Sequence, residues 1–239
     1  AIGNQSLYTQ SYILPIYTHN IAIGYHALYR NSPISFTTGR YNTALGSFAM
    51  RNNTSGYQNT AVGYSALRGD DFTGSNSYFN TAVGFSALRN IADDTYSNTA
   101  VGHSALENNT TGFSNVGLGL NSLNMNTIGN ENTAIGTGAL EKNIEGSFNT
   151  AIGRSASFYS TYASKNVVIG FEAMRQLDFA NANTVFDGEN VIIGYQAAYL
   201  LNPSTTANGN RNVVIGSEAG YGSGANHLFY ENVMIGSDA

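Results

Sequence analysis

The sequence predicts an all-β repeat protein, a β-solenoid built from short stacked coils. Three observations predict it. The first is a phrase that recurs from end to end: Asn, Thr or Val, Ala or Val, Ile or Val, Gly, two free positions, then commonly Ala-Leu. It reads N-T-A-V-G-Y-S-A-L at Asn59 to Leu67 and N-T-A-V-G-F-S-A-L at Asn80 to Leu88. The second is the spacing, which falls repeatedly to 17 residues, as from Gly102 to Gly119, Gly136, Gly153 and Gly170. The third is that the phrase is β-branched and ends in Gly. A unit this short cannot hold two helices and a turn, whereas it suits a strand, a turn, a second short strand and a return loop.

Each position of the phrase has its own reading. The anchor glycines are Gly24, Gly46, Gly63, Gly84, Gly102, Gly119, Gly136, Gly153, Gly170, Gly194, Gly216 and Gly236, with a truncated copy at Gly3. Four residues before each full anchor stands an asparagine: Asn20, Asn42, Asn59, Asn80, Asn98, Asn115, Asn132, Asn149, Asn166, Asn190, Asn212 and Asn232. Stacked coils would bring these amides into a column, where they can bond from coil to coil; an Asx turn opening each strand is the other reading. A glycine often precedes the asparagine by three residues, as at Gly39, Gly56, Gly112, Gly129, Gly146 and Gly209, and is expected to supply a turn with positive φ.

Alternation along a strand puts the residues one and three before the anchor on one face, and the anchor with the residue two before it on the other. Through Gly153 that second face is mostly Ala and Gly, and is expected to admit a close neighbour chain. From Gly170 on it carries Val168, Ile192, Val214 and Met234, so both faces are large, apolar and expected to be buried. The chain therefore reads as one continuous array over residues 1–239, with Ala-type repeats in 1–157 and Val-type repeats with longer insertions in 158–239. Beginning and ending within repeats, it reads as a segment of a longer fibre. About twelve coils at ~4.8 Å would make a rod on the order of 60 Å long. A single coil buries too little to offset the entropy of ordering it, so stacking and oligomerisation are both expected.

Composition narrows the function classes. Only 10% of residues are charged, the formal net charge is −5, and there is no cysteine. A disulfide framework and a thiolate metal site are excluded. With two lysines and eight scattered arginines, nucleic-acid capture is not expected. No apolar run approaches the ~20 residues that span a bilayer, and no membrane contact by this segment is expected. No cofactor, metal site or catalytic group is expected either. His26 and His103 fall on free positions, Asp70-Asp71 and Asp93-Asp94 lie in spacers without further acidic ligands, and no elbow or zinc-binding motif occurs.

The N-x-A-I-G-x-x-A phrase with its Gly-rich returns resembles the head repeats of trimeric autotransporter adhesins, the YadA-type heads, and similar repeats of phage tail fibres and other trimeric bacterial fibres. The resemblance covers the chain from Ile2-Gly3 through all twelve motifs. It implies left-handed β-rolls assembled as a parallel homotrimer, extracellular on a bacterial surface or part of a virion or injection-machine fibre, meeting a surface glycan or protein ligand. The repeats are longer and less even than the family's compact unit. The alternatives are the tail-fibre shaft of a phage or contractile injection machine and, in a different class, a β-helix polysaccharide-degrading enzyme, for which no acidic cluster is legible. A flat threonine ladder for ice or mineral would use Thr43, Thr60, Thr81, Thr99, Thr133 and Thr150, but the position becomes Val after Gly153 and that face is expected to be buried. The candidate recognition residues are aromatics in the spacers, Tyr159, Tyr162, Phe179 and Phe186, since Tyr among Ser, Asn and Gly is suited to adaptable recognition.

Overall fold

A computed structural model describes residues 1–8, 17–32, 35, 37–69, 76–92, 94–177, 184–201, 210–222 and 231–239. The chain is all-β, a parallel β-solenoid, and divides into two compact units, Ala1–Asn115 and Val116–Ala239. Every anchor glycine described here closes a three-residue strand, apart from the truncated copy at Gly3. In the first unit these are β1 (Ile21–Ile23), β2 (Thr43–Leu45), β3 (Thr60–Val62), β4 (Thr81–Val83) and β5 (Thr99–Val101). The second unit has β6 (Val116–Leu118), β7 (Thr133–Ile135), β8 (Thr150–Ile152), β9 (Ala163–Ser164), β10 (Val167–Ile169), β11 (Phe186–Asp187), β12 (Val191–Ile193), β13 (Val213–Ile215) and β14 (Val233–Ile235). Within each unit the motif strands pair in parallel and motif against motif, as Thr60↔Thr81 and Ala61↔Ala82, or Val191↔Val213 and Ile192↔Val214.

The remainder of each coil is not the second strand expected. Among the described residues only β9 and β11 form such a pair, Phe186 opposite Ala163, with isolated bridges such as Tyr78↔Tyr96. Elsewhere the chain turns through left-handed residues at three fixed offsets from the anchor. Around Gly84 these are Phe79 (φ 58°), Ser86 (φ 55°) and Leu88 (φ 49°); around Gly102 they are Ser97, Ser104 and Leu106. Such a conformation costs an L-residue ~1–2 kcal/mol. Stacking offsets it, because each left-handed residue gives its N–H to an adjacent coil: Phe79 to the Tyr57 carbonyl (3.2 Å), Ser86 to Tyr64 (2.9 Å) and Leu88 to Ala105 (3.0 Å). Burial helps too, since Leu67, Leu88, Leu106, Leu123 and Leu140 are fully enclosed and each is worth ~1.5–3 kcal/mol.

The anchor glycine answers two demands. Its φ, +133° at Gly119, is barred to other residues, and a Cβ there would sit 2.7 Å from the Gly136 carbonyl. Glycines before the motif have a different role from the one expected. Of those described, only Gly39 has a positive φ. At Gly56, Gly129 and Gly146 a side chain would collide with an asparagine amide and a carbonyl of the next coil.

The two strand faces are also reversed from expectation. The small Ala/Gly face points into the coil: Ala61, Ala82, Ala100, Ala134 and Ala151 are fully buried, and so are Val168, Ile192 and Val214 in their place later on. The Ala-Leu pairs of the motif, such as Ala87-Leu88, are fully buried as well. The face one and three before the anchor points outward and is not buried within the chain. It keeps partial exposure along β3, β4 and β5, and Val167, Val233 and Ile235 are 37%, 69% and 68% exposed. The physical reason is width: a coil this narrow has room for one inward side chain per strand.

Candidate recognition surface

Register turns sequence positions into columns. The asparagine column is internal scaffold. In Asn80, Oδ1 accepts the Asn98 backbone N–H (2.9 Å), while Nδ2 donates to the Thr95 carbonyl (2.9 Å). Asn59 does the same toward Asn80 and Ser77. In the second unit Asn149 holds Asn166 and the Ala163 carbonyl, and the pattern continues through Asn190, Asn212 and Asn232. At the chain's start Asn20 donates to Gly39 (2.7 Å) and accepts from Asn42. From Asn42 to Asn212 these amides are buried, with Asn20 and Asn232 half-buried, and their bonds to the next coil make the column scaffold.

A second asparagine column escaped the sequence reading. Asn53, Asn109, Asn126 and Asn143 each stand seven residues after an anchor and three before a glycine. Each donates Nδ2 to that glycine's carbonyl, at 3.1, 2.7, 2.9 and 2.9 Å. Asn42, Asn98 and Asn132 donate to the same carbonyls at Gly56, Gly112 and Gly146, so two amides share one acceptor. The fixed offset of Asn-x-x-Gly from the anchor was the available signal.

The surface columns are aromatic. Tyr57, Tyr78, Tyr96 and Phe113 form a continuous stack, with centroids 4.9–5.2 Å apart and planes within 5°. Enclosure in the stack raises the Tyr78 pKa above its ordinary value, and the neighbouring Tyr57, Tyr96 and Asp94 add to this. Phe79 packs edge-on against Tyr57 and Tyr78 while half its surface stays exposed. A second stack runs Tyr64–Phe85–His103 (5.2 and 5.0 Å), which accounts for His103 as a ring in a stack. His19 stacks on Tyr41.

Of the candidate recognition residues, Tyr159 is 36% exposed, meets Phe158 edge-on at 4.6 Å, and lies under the Arg175 guanidinium at 5.5 Å. Arg175 is also over Phe158 and Tyr199, a cation held among three rings. Tyr162 and Phe186 are half-buried and joined through the backbone, Phe186 N–H to the Tyr162 carbonyl at 3.2 Å. Phe179 lies outside the described residues, as do Asp70, Asp71, Asp93 and His227. Among the described residues no group of three or more His, Asp or Glu side chains could hold a metal ion, and no helix is long and apolar enough to cross a membrane.

One concavity stands out on the first unit. Tyr25, His26, Phe48, Arg51, Tyr64 and Arg68 line a cleft of about 330 Å³ with Ser65. Phe48 stands edge-on between Tyr25 (5.3 Å) and Tyr64 (5.6 Å), and the Arg51 guanidinium lies 5.7 Å over it. His26 stacks on Tyr25 at 4.0 Å and is hydrogen-bonded through Nε2 to the Gln5 side chain. Partial burial, and then the Arg51 charge, hold the His26 pKa below 6.5.

Comparison of the chain with protein families, with curated proteins and with solved structures finds no match.

Proposed function

We propose that the chain is a non-enzymatic fibre segment, assembled as a parallel homotrimer, that carries or presents binding sites for a glycan or protein on another surface. The observation that carries the reading is the outward strand face. It places Thr, Val or Ile beside Leu, Ile or Val from strand to strand, at one register, and leaves these partly exposed. A regular apolar stripe of this kind marks an interaction surface, and its regularity suits identical copies meeting in register around an axis. The likeness of the repeat to YadA-type adhesin heads supports a trimer displayed at a bacterial surface, extracellularly. Scaffold positions absorb the conserved-looking phrase, and variation falls on exposed aromatic columns suited to recognition.

The mass of the particle in solution tests the assembly. Three chains of 25.4 kDa give about 76 kDa; a 25.4 kDa monomer would overturn the trimer. Immobilised fibre probed with a glycan array tests the recognition role, which fails if nothing is retained.

A further inference from the structure

Alternation along the chain adds two positions to the outward pair of each motif, one five residues before the anchor and one just after it. Around Gly153, in the second unit, exposure follows that alternation. Phe148 and Arg154 are exposed, Asn149 and Ala151 are buried, and Thr150 and Ile152 lie between. Phe148 and Arg154 thus mark the two edges of the outward face. The Phe148 ring is 53% exposed and meets no other ring or cation among the described residues. The Arg154 guanidinium lies 5.6 Å over Phe171, one coil on, and makes no ion pair among the described residues. The next coil exchanges the roles: Lys165, which pairs with Asp187, precedes the strand and Phe171 follows it.

We propose that a second copy of the chain docks edge to edge on this face, with Arg154 of one copy over the Phe148 ring of the next, and that the contact holds the copies at equal coil height. Three flat faces around a three-fold axis form a triangle. Each corner brings the trailing edge of one face to the leading edge of its neighbour, a heterologous contact that closes into a ring. Rotation about the axis leaves height unchanged, so the edges that meet belong to the same coil. At that height Phe148 meets Arg154 and Lys165 meets Phe171, a ring against a cation in both coils with the roles exchanged. A slip of one coil in one direction would set Lys165 against Arg154, like charge against like. The proposal rests on the homotrimer read above and gives it a contact and a register.

The chain lacks cysteine, so Phe148→Cys/Arg154→Cys tests the contact directly. Within one chain the two positions flank the strand, on the order of 20 Å apart at ~3.3 Å per residue, too far for a disulfide. Mild oxidation should link three chains of 25.4 kDa into one species on a non-reducing denaturing gel, while each single variant stays at 25.4 kDa. Phe148→Ala and Arg154→Met should each raise the trimer dissociation constant about tenfold or more, since three such contacts close one ring. The double variant should be no weaker than either single one. Circular dichroism on the same samples establishes that each variant is folded. Additive losses would give the two residues separate roles within the chain and overturn the contact. So would a trimeric parent whose double cysteine variant stays unlinked, or faster linking by Glu131→Cys/Arg154→Cys, a slip of one coil; in either case the homotrimer itself stands. A parent particle of 25.4 kDa overturns the homotrimer and this contact with it.

Discussion

The coils up to Gly102 and those from Gly170 onward meet one set of backbone demands with different interiors. Both keep the anchor glycine at φ above +120°, the buried asparagine column and the left-handed corners. The early coils fill the strand's single inward position with alanine and close on a leucine, as Ala82 with Leu88. The later ones place Val168, Ile192 or Val214 there; where Leu88 stands, the Val168 coil keeps a large buried Met174, and the next two have Ala198 and Gly220. In those two coils volume moves from one wall to the other while the backbone path is kept. Outside, both sets carry stacked rings, as Tyr57 on Tyr78 early and Phe171 on Tyr195 late. The later ones carry an alternating column of Lys165, Glu189, Arg211 and Glu231, in which Lys165 pairs with Asp187 and Arg211 with both glutamates (2.9 and 3.2 Å). Scaffold is fixed by close approach, and the surface is free to differ.

The shared part of this comparison is tested by the largest effect. Gly63→Ala and Gly194→Ala should each cost about 3–5 kcal/mol or prevent folding, because both force a Cβ against the next coil's carbonyl at a forbidden φ. Chemical denaturation at one fixed protein concentration measures it. A mild loss in either region would show that the glycine column is not a common requirement. The differing part is tested by interior exchange. Ile192→Ala should lose about 2–4 kcal/mol through a cavity, while Ala82→Val should lose about 1–3 kcal/mol through overpacking of a fully buried position. If Ala82→Val is neutral, the early interior has unfilled space and the contrast fails.

The same contrast shows what the sequence could convey. The anchor, the asparagine column and the thickening interior were legible because each is a backbone demand repeated at a fixed offset. Which face points inward was not, because Ala and Gly suit both a packed interior and a close interface; only the path of the turns decides it. Those turns were invisible because the left-handed positions hold Ser, Leu, Phe or Glu, and nothing about Leu88 signals φ > 0. The cleft was missed for a related reason. Arg51 and Arg68 lie 17 residues apart and look scattered until coils are superposed on Gly46 and Gly63. The recognition residues chosen from the spacers ended in different surroundings: Tyr159 shares a cation with Phe158, whereas Phe186 opens one strand of a minor pair and Tyr162 stands just before the other.

Intermediate effects belong to the column shared by both regions. Asn80→Ala removes the acceptor of the Asn98 backbone N–H and the donor to the Thr95 carbonyl, in a place water does not reach. A loss of about 2–3 kcal/mol is expected, and a matching loss for Asn190→Ala. A difference above about 1 kcal/mol between the two would mean that the ladder is coupled to the interior it lines.

The smallest effect concerns His26, which lines the cleft among Gln5, Tyr25, Tyr29, Phe48 and Arg51. Its pKa is lowered in the fold, chiefly by partial burial and further by Arg51. The unfolded chain therefore binds the proton more readily, and the sign follows: the contribution is intact above pH 6.5 and is lost as pH falls through 6.5 toward the folded value. His26→Gln removes the titration and keeps a residue that adopts the same left-handed corner at Gln5 and Gln196. Between pH 7.5 and 5 the parent should lose more in melting temperature than the variant, and Arg51→Gln should reduce that difference by less than half, because burial is the larger cause. An equal or opposite change would mean that His26 is solvated and that the aromatic wall of the cleft is open on that side.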